Sequence, residues 1–156
     1  MYYIGYGSNF KEAQVKERTP NARFVCIACI HDKQVVFRGN DEWGYYADLI
    51  DKSGSKAVVA VYEFSEADFA LMDKYERVAE GCYHRESCPV VLRSGEEVDG
   101  ILYKMNENKG FHVGQPRDEY VGRLAYGFID KGIGLNVLEA LLNYNRAEML
   151  AEGVVV

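Results

Sequence analysis

The chain has 156 residues, 24 of them acidic and 18 basic, for a formal net charge of −6. That length suits one domain with a core large enough to stand without staples or metals, and the acidic balance, with Lys and Arg scattered in no stripe or tail, argues against a nucleic-acid partner. No apolar run reaches the roughly 20 residues needed to span a bilayer, and the N-terminus lacks the charged start and apolar stretch of a signal peptide, so the expected setting is cytoplasmic, with no membrane partner.

Residues 1–6 read as a short apolar strand that runs into Tyr6-Gly7-Ser8-Asn9. Gly7 tolerates dihedrals that other residues avoid, and Ser8 and Asn9 can cap a helix starting at Phe10. Such a joint is either a plain capped turn or a cradle whose N–H groups suit a carboxylate or a carbonyl oxygen gaining charge. Apolar and β-branched runs at 23–30, 33–38, 44–51, 56–64, 84–93 and 97–105 then read as strands separated by Gly, Asn, Asp or Ser. Trp43, between two of them, either covers a pocket mouth or shields a hairpin. A helix begins at Ser65, where Ser65-Glu66-Ala67-Asp68 resembles a capping box, and Ala67, Leu71 and Tyr75 share one of its faces. Past residue 115 the period turns helical, with Pro116 at a first turn, then Tyr120, Leu124 and Phe128, and after a Gly132-Ile133-Gly134 break a second run from Leu135 to Leu150. The segment 107–117 is the expected mobile loop. The whole chain, 1–156, reads as a single domain built on a closed or strongly curved sheet with helices packed outside.

Few residue types here suggest chemistry. Cys26 and Cys29 lie in an apolar strand, where odd spacing sends them to opposite faces, so all four cysteines read as reduced thiols. His31, His84 and His112 have no spacing that would join two on one metal, and no metal or other cofactor is expected. Ser8 has no histidine in a recognisable partner segment, which favours capping or binding over nucleophilic attack. Glu76, where the helix from Ser65 stops, is either a solvated acid or, flanked by Tyr75, Val78 and Tyr83, a carboxyl whose charged form is disfavoured. Asp73, Glu80 and Glu86 read as solvated acids.

Tyr3-Ile4-Gly5-Tyr6-Gly7-Ser8-Asn9 resembles the N-terminal strand and loop of the γ-glutamylcyclotransferase-like family, which includes the plant AIG2-like proteins, with Gly5 where the family usually has Ala. Arg18-Thr19-Pro20-Asn21-Ala22-Arg23-Phe24 is similar to the turn before its second strand. Leu71-Met72-Asp73-Lys74-Tyr75-Glu76-Arg77-Val78 with Gly81-Cys82-Tyr83 resembles its Leu-Asp-x-x-Glu-Gly-Val and Gly-x-Tyr segment, and Pro116-Arg117-Asp118-Glu119-Tyr120 its Pro-x-x-x-Tyr segment. The matches keep the family's order along nearly the whole chain. One departure stands out: Arg77 replaces the Gly that usually follows the glutamate, either adding a cation beside Glu76 or pointing outward.

The resemblance implies an α+β fold, a small mixed β-barrel-like curved sheet with flanking helices. It also implies an enzyme that releases 5-oxoproline from a small γ-glutamyl compound, with Glu76 as catalytic acid and base. Tyr3, Ile4, Gly5, Tyr6, Gly7, Ser8, Asn9, Tyr83 and Tyr120 are implied as the substrate-binding set. The leaving group is an amino acid or an amine, or the fold keeps only a pocket for a small anion, since fold alone does not carry function. The expected state is a monomer or homodimer.

Overall fold

The structure, a computed structural model, describes residues 1–108 and 110–154. Position 109, inside the segment expected to be mobile, and the last two positions of the expected domain lie outside that description. Five strands close into a mixed barrel: β1 (Tyr2–Gly5), β2 (Arg23–Asn40), β3 (Gly44–Glu63), β4 (Tyr83–Val91) and β5 (Glu97–Met105). The order around the ring is β3-β1-β5-β4-β2, and β2 pairs back onto β3. β1 is parallel to β5 and antiparallel to β3, and the other pairings are antiparallel. Closure hides the strand edges that would otherwise invite association. Four helices flank it, α1 (Glu12–Arg18), α2 (Glu66–Tyr75), α3 (Asp118–Asp130) and α4 (Leu135–Ala151), with one 3-10 turn over Ser8–Phe10. This is the α+β curved sheet that the sequence implies.

β2 and β3 are each twice as long as the strands expected in their place. The runs 23–30 and 33–38 are one bent strand, as are 44–51 and 56–64. Pairing passes from His31↔Lys56 to Lys33↔Asp51, so several β3 residues oppose Asp32 alone. Asp32 takes up the bend at φ 58°, and its carboxylate accepts the Gly54 N–H at 2.9 Å. Polar residues gather at this bulge because it faces water, which is why the apolar pattern stops while the backbone continues. The outer half of the hairpin is fastened at Asp48, which is fully buried and accepts the Met105 N–H at 3.1 Å, with Arg38 Nη1 at 3.4 Å.

The helices cover the barrel through a few fixed contacts. Phe128 of α3 meets Phe10 edge to face at 4.8 Å. Buried Asn145 of α4 accepts the Phe37 N–H at 2.8 Å and donates to the Gly114 carbonyl at 2.9 Å. β3 residues 57–62 are covered on both faces apart from partly buried Val58, and they read as a near-continuous apolar run for that reason. The described part of 107–117 is tied down, contrary to expectation: His112–Val113 forms a short strand, β6, against Arg38 and Gly39, and Phe111 stacks on Trp43 at 5.1 Å. The capping box forms as read, with Ser65 Oγ accepting the Asp68 N–H at 3.1 Å and Asp68 accepting the Ser65 N–H at 2.8 Å. The face of Ala67, Leu71 and Tyr75 points out, however, and α2 buries Phe69 and Met72 instead. All four cysteines are free thiols. Among the described residues, no helix is long and apolar enough to cross a membrane.

Candidate active site

The chain leaves β1 through Tyr6 and Gly7, and the packing there leaves little room for a side chain at Gly7. A Cβ on Gly7 would stand 3.1 Å from both Ala47 Cβ and the Tyr120 hydroxyl. The Tyr120 hydroxyl itself accepts the Ala47 N–H at 3.1 Å, which joins α3 to β3 beside the loop. Buried Tyr6 donates its hydroxyl proton to the Tyr103 carbonyl, holding the loop against β5. Ser8 and Asn9 do not cap α1, whose N-cap is Lys11 with no side-chain bond. Asn9 is a buried junction instead. Its Nδ2 donates to the Tyr3 hydroxyl at 2.7 Å, and its Oδ1 accepts from Gln14 and from Arg18, each at 3.0 Å. Ser8 Oγ accepts from the same Gln14 amide at 2.9 Å. With Ser8 and Asn9 held through their side chains, the N–H groups of Gly7 and Ser8 have no acceptor among the described residues.

Glu76 stands at the C-cap of α2, and its N–H donates to the Met72 carbonyl at 2.9 Å. The helix then closes with a paired left-handed cap: Val78 N–H reaches the Asp73 carbonyl at 3.0 Å and Arg77 N–H the Lys74 carbonyl at 3.3 Å. Arg77 therefore occupies the turn position that ordinarily goes to glycine, at φ 52°. A residue carrying a Cβ held there costs about 1 kcal/mol. The last turn of α2 is anchored one turn earlier by Asp73, which accepts the Tyr103 hydroxyl at 2.6 Å and the Arg85 guanidinium at 2.8 and 2.6 Å. Asp73 is therefore not the solvated acid it reads as in sequence, and the Arg85 bonds hold its carboxyl below the usual carboxylate range.

Burial pushes the Glu76 carboxyl up to about 7, against a smaller opposing pull from the Arg18 guanidinium. The negative end of α2 acts in the same direction as burial, because it disfavours a carboxylate at a helix C-terminus. Arg18 is kept in range by Asn9 and by Tyr75, over whose ring its guanidinium lies at 4.6 Å. The Tyr120 hydroxyl is likewise pushed up to about 12 by burial, and Tyr3, Tyr6 and Tyr83 rise further, so these four stay protonated.

These groups surround one cavity of about 310 Å³. Tyr3, Ile4, Tyr6, Gly7, Ser8 and Asn9 line it from β1 and the loop, Glu76 from the α2 cap, Tyr83 from β4 and Tyr120 from α3. Gly5 alone of the residues singled out is not on the wall. It packs behind, where an added Cβ would meet Asn9 Cβ at 3.2 Å. Trp43 resolves both ways, since it lines the cavity and also closes the hairpin, with Tyr46 edge to face at 4.9 Å.

Sequence reasoning missed Arg18, Tyr46, Tyr75, Tyr103 and Arg123 on the wall and left the direction of Arg77 open; it lines the cavity. Only Arg18 had a readable signal, the helical i, i+4 spacing of Gln14 and Arg18 that brings both to Asn9. Among the described residues no group of three or more His, Cys, Asp or Glu is placed to hold a metal ion. What the cavity offers is one carboxyl poised near neutrality, unpaired backbone N–H groups, guanidinium groups and a wall of tyrosine and tryptophan rings. That set can hold an anion and move a proton.

Residues 3–121 match the family model described as gamma-glutamyl cyclotransferase, AIG2-like. The gamma-glutamylcyclotransferases of Homo sapiens and Mus musculus are 25% and 24% identical to this chain, over 89% of it and 76% of each relative. Among solved structures, a gamma-glutamyl cyclotransferase superposes with a TM-score of 0.80 at 23% identity, covering 90% of this chain and 85% of that one. YkqA from Bacillus subtilis superposes with a TM-score of 0.76 at 18% identity, covering 95% of this chain and 55% of its own. The structural matches establish a shared fold, and the family model accounts for every segment that builds the cavity wall up to α3. The chain belongs to the AIG2-like gamma-glutamyl cyclotransferase family.

Proposed function

We propose that this protein is a γ-glutamyl cyclotransferase, releasing 5-oxoproline and an amine-bearing product, in the first instance a free amino acid, from a small γ-glutamyl compound. The observation that carries this reading is the meeting of Glu76, raised to about 7, with the Gly7–Asn9 loop on one cavity. The substrate supplies its own nucleophile. Glu76 takes a proton from the α-ammonium, the freed amine attacks the γ-carbonyl carbon, and the carbonyl oxygen gains negative charge. The bond to the leaving nitrogen then breaks as that nitrogen is protonated. In balance, the ammonium loses two protons to become the lactam N–H, and the leaving N–H gains the same two to depart as an ammonium ion.

A carboxyl poised near 7 suits both transfers, because each direction is then close to even, and such a group contributes roughly 100- to 10,000-fold. The free N–H groups of Gly7 and Ser8 fit either the oxyanion or the substrate α-carboxylate. Tyr3, Ile4, Tyr6, Asn9, Tyr83 and Tyr120 shape the remaining wall, and Gly5 serves by letting Asn9 pack closely. Incubation with a panel of γ-glutamyl dipeptides and γ-glutamyl amines, read by mass spectrometry for 5-oxoproline, tests the proposal. Release from at least one compound is expected, and none from any would overturn it.

A further inference from the structure

The cavity carries more positive charge than a γ-glutamyl group needs. Among the described residues, Arg18, Arg77 and Arg123 line it against a single acid, Glu76. A smaller groove adjoins it through the shared Tyr46, Tyr120 and Arg123, and adds Arg117 with Glu119. Arg18 is committed to Asn9 and Tyr75 on the loop side. Arg123 is half-exposed and pairs with Glu119 at 2.9 Å. Arg77 has no ion pair or side-chain hydrogen bond among the described residues, although it holds a left-handed backbone position where glycine would sit without strain. A strained residue with a free charge on the wall of a functional cavity points to a binding role.

If the γ-glutamyl end lies toward the loop and Arg18, Arg77 and the Arg123 side of the groove remain for the leaving group. Arg77 is free to take one carboxylate, and Arg123, held only by an exposed i, i+4 pair with Glu119, can exchange that weak partner for a second. Resting on the cyclotransferase reading, we infer that Arg77 is a specificity-determining residue and that the favoured leaving group is an acidic amino acid, with a side-chain carboxylate in addition to its α-carboxylate. A leaving group without charge, such as a simple amine, would leave Arg77 with no counter-charge and Arg123 with Glu119 alone.

γ-Glutamyl-glutamate and γ-glutamyl-glutamine test this directly, because their leaving groups share a shape and differ by one charge. Wild-type kcat/KM should favour the glutamate compound about fivefold, the worth of one partly exposed charge pair, and the preference should shrink as salt is added. Arg77→Gln should remove most of that ratio and Arg77→Lys should restore part of it, while circular dichroism checks that each variant is folded. In parallel, the affinities of both peptides are measured by calorimetry on Glu76→Gln, with and without Arg77→Gln. A ratio at or below one in wild type, or one that survives Arg77→Gln, overturns the inference. If neither peptide yields 5-oxoproline, the wider panel still decides the cyclotransferase reading, and the calorimetric ratio decides this one: its loss with Arg77→Gln sustains Arg77 as the determinant for an acidic γ-glutamyl ligand, and its absence ends the inference.

Discussion

Replacing Glu76 by glutamine separates what the site does for catalysis from what it costs the fold. The carboxyl has an ordinary value of 4.5 and about 7 in the folded protein, raised chiefly by burial. A folded value above the unfolded one means that the native state binds the proton more tightly. Stability is therefore greatest below 4.5 and declines as pH rises through 7, where the native carboxyl is forced to ionise. At 1.36 kcal/mol per pH unit the full interval would be worth about 3 kcal/mol, and the water that reaches Glu76 through the cavity reduces this to roughly 1–2 kcal/mol. Glutamine keeps the shape without the charge, so Glu76→Gln should be the more stable protein at pH 8, with a melting temperature higher by about 3–6 °C, and the gap should close toward pH 4. Turnover should fall at least about 100-fold with little change in substrate affinity. Thermal melts followed by circular dichroism at pH 4, 6 and 8, beside 5-oxoproline release, read both effects, with Glu80→Gln as a nearly silent control. A variant less stable than wild type at pH 8 would mean that the carboxylate is well solvated or firmly paired, and the account of its raised pKa would be wrong.

Three further outcomes follow from the same geometry. Gly7→Ala puts a methyl 3.1 Å from both Ala47 Cβ and the Tyr120 hydroxyl, so it should cost about 1–3 kcal/mol of stability and lower kcat/KM at least tenfold; denaturant melts and kinetics at wild-type values would show that the loop yields freely. Arg77→Gly relieves the backbone at φ 52° and should stabilise the fold by about 1 kcal/mol, whereas a drop in melting temperature would show that the side chain is doing structural work. Activity should survive a chelator and thiol alkylation, since the proposed proton transfers use only a carboxyl; strong loss with a chelator would reveal a metal step.

What could be read from the sequence was whatever depends on neighbours in the chain. The capping box at Ser65 and Asp68, the helix break at 132–134 and the bend at Gly7 are local, and each has a residue type that its geometry demands. Glu76 and the Gly7 loop were picked out separately, but their meeting on one cavity comes from barrel closure, which places β1 between β3 and β5. Asn9 looked like a cap because its side chain bonds backbone in most such loops. Here Gln14, Arg18 and Tyr3 compete for it more effectively from α1 and β1. The face of α2 that spacing marks is not the one the barrel buries, for a related reason. Ala67, Leu71 and Tyr75 satisfy helical spacing, but Phe69 and Met72 meet the barrel, and with a weak periodicity tertiary packing chooses the face.

The α2 cap concentrates the site's costs in two adjacent residues. Glu76 sits where a helix end and burial both oppose its charge, and Arg77 sits where a side chain strains the backbone. Neither would be retained by stability alone, since glutamine and glycine respectively would fold better. The surroundings make them affordable: Asp73 ties the preceding turn to Arg85 and Tyr103, and Val78 packs on the core, so the cap cannot relax by unwinding. Rigidity on both sides turns a pair of locally unfavourable choices into a fixed carboxyl and a fixed rim cation. If that is the cap's purpose, Asp73→Asn, at a residue that does not itself line the cavity, should loosen both together. It should lower the pH at which kcat/KM half-rises, because a freer Glu76 gains water and ionises more easily, and kcat should fall more than KM rises. A slower enzyme with an unchanged pH midpoint would show that the clamp supports the fold alone and leaves the carboxyl where it is.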